Sequence, residues 1–492
     1  MRIIAKQSIL TTFSSYLGVL IGYFNVLWLL PYVLEPEQLG LFRTIQDLAL
    51  IMVPFAQLGI GNGITRFYPR VKEQQFSFFT MSLLLSLLGA ILVSLLFFVF
   101  RDYLVQAFQA NSPEVIDFFG VVLLIMLFSV LNSILDAFSR SFLEIAVPTF
   151  FREVLLRILV SLIILAYFLQ WLSFIQLIWS LSIIYLVTLL GMGIYMGALG
   201  IFKLDFSFSV FPKGFRREFV KYNLITFLGS TGSLLIMKID SLMVSAMIGL
   251  DANAIYSIAF AIAIVIEMPR RAVSQVVMPV VAEYFAQNET AKIDRLYKQV
   301  AVHQLLICLL LFLGVWANID NLYFFIPNKE IYEVGKWVVL WIALGKIFDI
   351  LFSINGEIIV YSKYYLFNIT ATLIMSVLVI SLNLLLIPEF GIEGAAFASL
   401  VAMISYNLIK YVFVKIRLKL DPFTWDIFKI LILGGSVFLL QHFLMFWSAI
   451  GLWDMILRSL LITALYILGI FGLKIAVKSQ QELIQKIKGL RP

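Results

Sequence analysis

Ten polar or charged side chains interrupt long apolar runs of the sequence, and their types could support chemistry. Lysine and arginine at such positions bind anions such as phosphates, whereas carboxylates bind cations or exchange protons. The ten are Asn25, Arg43, Asp47, Lys238, Asp240, Glu267, Arg270, Arg271, Lys346 and Asp349. Because their five cations and four carboxylates nearly balance, the set favours an anionic ligand only slightly.

The spacing of these residues leaves two interpretations open. Charges three or four residues apart can neutralise one another on one helix face and then need no ligand. That spacing holds for Arg43 with Asp47, for Glu267 with Arg270 and Arg271, and for Lys346 with Asp349. Lys238 and Asp240 are two residues apart and lie on nearly opposite faces, so at least one needs a partner on another helix or in water. Arg270 and Arg271, beside Pro269, are the preferred candidates for binding a diphosphate.

The elements that carry these residues are predicted to be membrane-spanning helices. Of the 492 residues, 62% are apolar and 13% are charged, and the mean hydropathy is +1.00. A soluble domain has about 25% charged residues, so a soluble enzyme, a disordered chain and a fibrous protein are excluded. Fourteen apolar runs have the length of a membrane span. They cover 9–34, 39–64, 76–100, 115–135, 145–169, 173–199, 222–248, 254–280, 300–319, 334–357, 364–387, 392–414, 427–447 and 455–476.

The distribution of basic residues predicts the orientation of these spans. If the N-terminus and every second loop are on the inner side, 26 of the 29 loop lysines and arginines fall there. Cytoplasmic loops of membrane proteins carry this excess. We therefore predict that both termini are cytoplasmic, and that the net charge of +7 reflects the inner loops rather than nucleic-acid binding.

An internal repeat predicts two lobes. A shift of 214 residues places Leu10, Thr12, Phe13, Gly18 and Leu20 on Leu224, Thr226, Phe227, Gly232 and Leu234. Two six-helix halves in the same orientation would be related by an axis along the membrane normal, with a substrate site between them. The predicted organisation is an N-terminal lobe at 1–200, a second lobe at 215–414, two further helices at 425–476, and a basic tail at 477–492 on anionic lipid headgroups.

The composition argues against a disulfide, a metal or haem site and a catalytic site. Cys308 is the single cysteine, so an intrachain disulfide is impossible, and only His303 and His442 could supply imidazole ligands. Zinc and haem sites of the usual kinds are therefore not expected. The sequence contains no phosphate-binding loop and no nucleophile elbow. We predict no catalytic residue, no metal and no cofactor.

Several short motifs resemble those of one transporter superfamily. Residues 34–42 (LEPEQLGLF) and 57–67 (QLGIGNGITRF) resemble the turn after the first helix and the glycine-rich end of the second helix of polysaccharide-export flippases. Residues 240–243 (DSLM), 254–257 (AIYS) and 391–396 (GIEGAA) are similar to their seventh, eighth and twelfth helices. The superfamily is that of the multidrug/oligosaccharidyl-lipid/polysaccharide exporters, and the O-antigen and polysaccharide flippase branch is the best match.

The resemblance implies an all-α membrane protein with about 14 helices, arranged as two six-helix lobes plus two appended helices. It implies alternating access and a cargo of polyprenyl-diphosphate-linked oligosaccharide, moved across a bacterial cytoplasmic membrane for cell-surface polysaccharide biosynthesis. It further implies H⁺ or Na⁺ as a coupling ion and contact with polysaccharide polymerase machinery. The ten residues above would then be substrate-binding candidates in the cavity.

Two other functions remain as alternatives. A cation-coupled multidrug exporter would share the fold, although a slightly basic cavity disfavours cationic drugs. A membrane-embedded polysaccharide polymerase or ligase would need a large outer loop or a catalytic His, Asp or Glu in a pocket. The predicted outer loops are shorter than about 20 residues, roughly one membrane-spanning helix in length, which disfavours an enzyme.

The predicted orientation can be tested by labelling. Single cysteines at Lys213 and at Pro36, introduced into a chain without Cys308, should react with an impermeant reagent from opposite sides of the membrane. Equal labelling of both positions from one side would contradict the fourteen-span arrangement.

Overall fold

A computed structural model describes residues 2–208, 211–444 and 450–475. These residues form helices joined by short turns, and none of them belongs to a β-strand. The all-α fold predicted from composition is therefore confirmed. The predicted basic tail at 477–492 lies outside the described residues.

The helices before the long loop at residue 200 carry the first six predicted spans. They are α1 (Arg2–Phe24), α2 (Leu30–Val33), α3 (Pro36–Gln57), α4 (Ile60–Phe67), α5 (Gln75–Val99), α6 (Arg101–Gln109), α7 (Glu114–Asp117), α8 (Phe119–Ser141), α9 (Ala146–Phe150), α10 (Leu156–Phe168) and α11 (Phe174–Ala198). Two π-helical turns, Asn25–Leu29 and Phe151–Leu155, make α1–α2 and α9–α10 nearly continuous.

The later helices carry the remaining predicted spans. They are α12 (Phe215–Met247), α13 (Leu250–Ile264), α14 (Met268–Ala286), α15 (Thr290–Ala317), α16 (Ile319–Phe324), α17 (Lys329–Tyr332), α18 (Lys336–Leu351), α19 (Asn355–Tyr361), α20 (Tyr365–Phe413), α21 (Trp425–Leu444) and α22 (Leu452–Gly472). A short 3₁₀ turn, Val265–Glu267, connects α13 to α14.

Ten helical segments of the described chain are long and apolar enough to cross a membrane, or twelve if two bent pairs each form one span. Two features account for the fourteen predicted. The α9–α10 segment has the length of a span but contains Arg152, Glu153 and Arg157, which lower its apolarity. The α20 helix contains two predicted spans and breaks at Gly391, where φ is 58°.

The start and end of α3 follow from its local sequence. Glu35 and Gln38 form a capping box around Pro36, which satisfies backbone N–H groups in the first turn. The helix ends where Leu58 and Gly59 adopt positive φ angles of 51° and 74°. A side chain on Gly59 would also collide with the backbone carbonyl of Asn223, so the turn requires glycine.

Contacts divide the chain into two compact units. The first comprises Met1–Ile258 with Ile387–Gly391, and the second comprises Ala259–Leu386 with Ile392–Pro492, so the boundary falls within α13. The lobe boundaries predicted from the repeat, at 1–200 and 215–414 with two helices at 425–476, remain predictions.

Each unit has its own packed interior. In the first unit, Phe67, Phe78 and Phe219 form an aromatic cluster with ring centroids 5.3–5.6 Å apart. In the second unit, Val281 and Tyr297 belong to a cluster that joins α14 and α15 to α19. Lipid is as apolar as these side chains, so close packing and buried polar contacts must hold membrane helices together.

Candidate functional site

Five buried or half-buried polar residues of the first unit form one network, here called the first-unit cluster: Thr44, Asp47, Lys238, Ser241 and Asn253. Lys238 Nζ lies 2.6 Å from Asp47 Oδ1. The Ser241 hydroxyl lies 2.8 Å from Asp47 Oδ2 and from Asn253 Oδ1. The Asn253 amide donates to Thr44 Oγ1 at 2.9 Å. The network thus ties α3 to α12 and α13.

Helix α3 reaches these partners because Gly40 has no side chain. A Cβ on Gly40 would overlap the backbone carbonyl of Leu250, at the start of α13. One turn later, the Thr44 hydroxyl donates to the Gly40 carbonyl and lies 2.6 Å from the Ser245 hydroxyl. The close approach therefore sets the position from which Asp47 meets Lys238.

Arg43 does not pair with Asp47 as the four-residue spacing allowed. Within the part of the chain that the structure describes, no ion pair joins the two, because Asp47 faces Lys238 and Ser241 instead. The Arg43 Nε atom is buried and has no hydrogen-bond partner there. Own-helix neutralisation is therefore wrong for this pair.

Lys238 and Asp240 point to different partners, as their two-residue spacing predicts. Lys238 binds Asp47 on α3, which confirms that one of the two charges needs another helix. Asp240 is buried and accepts a hydrogen bond from the Tyr256 hydroxyl at 3.0 Å. The carboxylate of Asp240 is thus held between α12 and α13.

Five charged residues form two neighbouring groups of ion pairs, together called the second-unit cluster: Glu267, Arg270, Arg271, Lys346 and Asp349. Glu267 accepts Arg271 Nε at 3.1 Å and lies 2.7 Å from Lys346 Nζ. Arg270 Nη1 lies 3.1 Å from Asp349 Oδ2, and its Nη2 contacts the backbone carbonyl of Ser353. The cluster therefore connects the start of α14 to α18.

Own-helix pairing is only partly correct in this cluster. Arg271 and Glu267 form the expected pair four residues apart. Lys346 and Asp349 instead each bind a residue outside α18, so neutralisation within α18 is wrong. Among these five residues three cations face two carboxylates, a third carboxylate, Glu357, acts electrostatically on Arg270, and Arg271 is 47% exposed.

Asn25 joins two helical segments through hydrogen bonds in this structure. Its amide nitrogen donates to the Arg157 carbonyl at 3.0 Å, and its amide oxygen accepts the Ser161 hydroxyl at 2.7 Å. Both bonds join the α1–α2 segment to α10. The side chain of Asn25 therefore already uses both ends of its amide.

Sequence reasoning missed the charged residues of the α9–α10 segment. Arg152, Glu153 and Arg157 were visible as interruptions of the apolar run at 145–169, and that signal could have marked them as candidates. It likewise missed Ser241 and Asn253, because hydroxyl and amide groups are common in membrane helices. Over the described ranges, no group of three or more His, Cys, Asp or Glu could hold a metal ion.

Two family models match the chain. Residues 4–285 match the model described as polysaccharide biosynthesis protein, and residues 227–385 match the model described as MatE. The first match covers more than half of the chain and includes the whole first-unit cluster.

Two relatives are similar in sequence. An uncharacterised membrane protein of Methanocaldococcus jannaschii is 24% identical over 478 residues, with 91% of each chain covered. A protein of Haloferax volcanii described as a probable low-salt glycan biosynthesis flippase is 22% identical over 227 residues. That match covers 45% of this chain and 48% of the relative, so it spans about half of each protein.

Solved structures show the same fold. The lipid II flippase MurJ, in an inward closed conformation, has a TM-score of 0.74 and 15% identity, with 94% of this chain and 98% of that chain covered. An inward-facing multidrug resistance MATE family transporter has a TM-score of 0.64 and 15% identity, with 82% and 94% covered. The predicted class, about 14 helices in two six-helix lobes plus two C-terminal helices, is confirmed.

The Asp47–Lys238 pair should be essential for the stability of the first unit. Replacing Lys238 with Met leaves a buried carboxylate unpaired and should lower the free energy of unfolding by about 3 kcal/mol. The double variant Asp47→Asn/Lys238→Met should recover most of the loss, as measured by denaturation in detergent micelles.

The control is Lys336→Met. The pair of Lys336 with Asp320 has the same 2.6 Å separation, but its side chains are 33% and 58% exposed. That control should cost about 0–1 kcal/mol. An equal loss for Lys238→Met and the control would refute a special role for burial.

Proposed function

Because the chain belongs to the polysaccharide biosynthesis protein family, we propose that it flips a polyprenyl-diphosphate-linked oligosaccharide across the membrane by alternating access. The protein is a multi-pass membrane transporter of the multidrug/oligosaccharidyl-lipid/polysaccharide exporter superfamily, not an enzyme. The product would supply a cell-surface polysaccharide, and both termini would be cytoplasmic. Contact with a polymerase would follow from the same role.

The second-unit cluster is the observation that supports this cargo. Each charge placed in a membrane helix costs about 2.5–3.5 kcal/mol, so a cluster of five is retained only against a large penalty. A purely structural ion-pair network can often be replaced by apolar side chains without loss of stability. The half-exposed guanidinium of Arg271 in this cluster instead suits an anionic group such as a diphosphate.

The second candidate is a multidrug exporter, and one observation favours it. Residues 227–385 match the MatE model, and a MATE transporter shares the fold. The exposed cation Arg271 of the second-unit cluster would repel cationic drugs. In reconstituted vesicles, export of a cationic dye without flipping of lipid-linked oligosaccharide would favour the drug exporter.

The arginines of the second-unit cluster should be needed for flipping. Replacing Arg270 and Arg271 together with Ala should abolish the flipping of a labelled lipid-linked oligosaccharide in vesicles without reducing protein abundance. Lys at both positions should retain part of the activity, because lysine supplies charge without the bidentate fork of arginine.

Single variants make this test sharper. Arg271→Ala leaves Glu267 paired with Lys346, so it should slow flipping about tenfold, the equivalent of about 1.4 kcal/mol, without loss of stability. The control is Arg101→Ala, an exposed cation at the start of α6, which should flip normally. Normal flipping by the double Ala variant would limit the two arginines to pairing with Glu267 and Asp349.

Coupling to an ion is proposed to involve Asp240. A buried carboxylate can bind H⁺ or Na⁺ when its surroundings alternate between dry and wet. Asp240→Asn keeps the shape but removes the charge, and should slow ion-driven flipping far more than it weakens cargo binding. Tyr256→Phe is the matched variant, because it removes the hydrogen bond yet keeps the carboxylate, and should retain ion dependence. If Asp240→Asn flips at the wild-type rate with the same pH and Na⁺ dependence, Asp240 is a structural carboxylate.

A further inference from the structure

A chain of ion pairs runs from the end of α8 into α10, and we call its five residues the arginine ladder: Arg140, Asp136, Arg152, Glu153 and Arg157. Asp136 Oδ2 lies 3.0 Å from Arg140 Nη2 and 2.8 Å from Arg152 Nη1. Glu153 lies 3.1 Å from Arg152 Nε through one oxygen and 3.1 Å from Arg157 Nη2 through the other. All five residues belong to the first unit.

Contacts at the two ends of the α9–α10 segment set the depth of the ladder. Just before α9, Glu144 accepts the side-chain amide of Gln7, near the N-terminus that is predicted to be inside. At the other end, the Tyr167 hydroxyl accepts a hydrogen bond from the amide of Gln38, in the first turn of α3, at the side that is predicted to be outside. Arg157 lies thirteen residues from Glu144 and ten from Tyr167, about 20 Å and about 15 Å along a helix. Arg157 is therefore near the middle of the span.

Two glycines on α1 make room for the Arg157 side chain. A Cβ on Gly18 would lie 2.7 Å from Arg157 Nη1, and a Cβ on Gly22 would lie 3.0 Å from its Nε. The α1–α2 and α9–α10 segments both contain a π-helical turn next to this contact, a feature frequent at functional sites. The groove that holds the guanidinium is thus built by backbone geometry on both segments.

The Arg157 guanidinium is poorly satisfied for a charge at this depth. Within the described part of the chain it makes one ion pair, with Glu153, and Glu153 also pairs with Arg152. Its Nη1 atom is buried and has no hydrogen-bond partner within the described ranges. An unpaired buried donor on a charged group costs more than a neutral one, and such a group in a native protein needs an explanation.

The arginine side chains of the ladder are more exposed than its carboxylate side chains. The side chains of Arg140, Arg152 and Arg157 are 48%, 51% and 31% exposed. Those of Asp136 and Glu153 are 14% and 27% exposed. The three cations and two carboxylates of the ladder leave one positive charge. A guanidinium with free N–H groups binds phosphate oxygens in a bidentate manner.

We propose that the arginine ladder binds the diphosphate group of the cargo and guides it from the inner membrane surface to the middle of the first unit. This inference rests on the proposed function, which supplies the diphosphate. The same chemistry would bind the phosphodiester of an anionic membrane lipid, so the test must separate the two sources.

Binding to purified protein in nanodiscs provides that test. The probes are geranylgeranyl diphosphate and geranylgeraniol, with phosphatidylglycerol as the competing lipid. To remove binding at the second-unit cluster, every protein in this test carries Arg270→Ala and Arg271→Ala. The protein with Arg157 should bind the diphosphate, Arg157→Gln should weaken that binding at least tenfold, and Arg157→Lys should weaken it less. Binding of geranylgeraniol, which has no phosphate, should not change. Unchanged diphosphate binding in Arg157→Gln would overturn the proposal, as would competition by phosphatidylglycerol at equal affinity.

A second variant keeps the test valid if Arg157→Gln folds poorly. Gly22→Ala retains every charge, and the three atoms nearest to its Cβ would all belong to the Arg157 side chain. It should weaken diphosphate binding severalfold by displacing the guanidinium, and should have no further effect in the Arg157→Gln background. Equal effects of Gly22→Ala in both backgrounds would show that the ladder is not the binding site.

Flipping in vesicles separates this inference from the proposed function. If wild-type protein does not flip lipid-linked oligosaccharide, the proposed function fails. If wild-type protein flips the cargo and Arg157→Gln flips it equally fast, the proposed function stands and the ladder inference fails.

Discussion

The scarcity of water at membrane depth is the constraint on which the polar structure of this protein depends. A charge there costs about 2.5–3.5 kcal/mol, and nearby groups must replace the lost hydration. Lys238 meets this requirement through Asp47 on α3, and Lys346 through Glu267 at the start of α14. Because these partners lie on different helices, the need to neutralise charge also fixes which helices pack together.

Close backbone approach is the condition that lets these partners meet. Gly40 brings α3 against the start of α13, which places Thr44 within reach of Asn253. Gly18 and Gly22 receive the side chain of Arg157 in the same way. In an apolar solvent, helices gain little by burying more apolar surface, so small residues that allow tight packing have a large influence.

Each of the two units contains a group of ion pairs with a similar set of charged residues. The arginine ladder and the second-unit cluster each contain three cations and two carboxylates, joined by separations of 2.7–3.1 Å. Each network is therefore stabilised internally. Within the described residues, Arg157 Nη1 and Arg270 Nε are buried N–H groups without a hydrogen-bond partner. Under the proposed function, a network that leaves such donors available would be able to bind an anionic cargo.

The sequence by itself determined the helical membrane class and the approximate spans, because apolar length and loop charge act locally and need no knowledge of packing. It also located the charges of α12, α14 and α18, and the two-residue spacing of Lys238 and Asp240 required an outside partner. Only the tertiary structure decided the partners, because spacing along a helix reports neighbours on that helix alone. For that reason the sequence did not show that Asp47 pairs with Lys238 rather than with Arg43, or that Asn25 bonds to α10. It also did not single out Arg157, because the glycines that receive this side chain lie more than a hundred residues away in the chain.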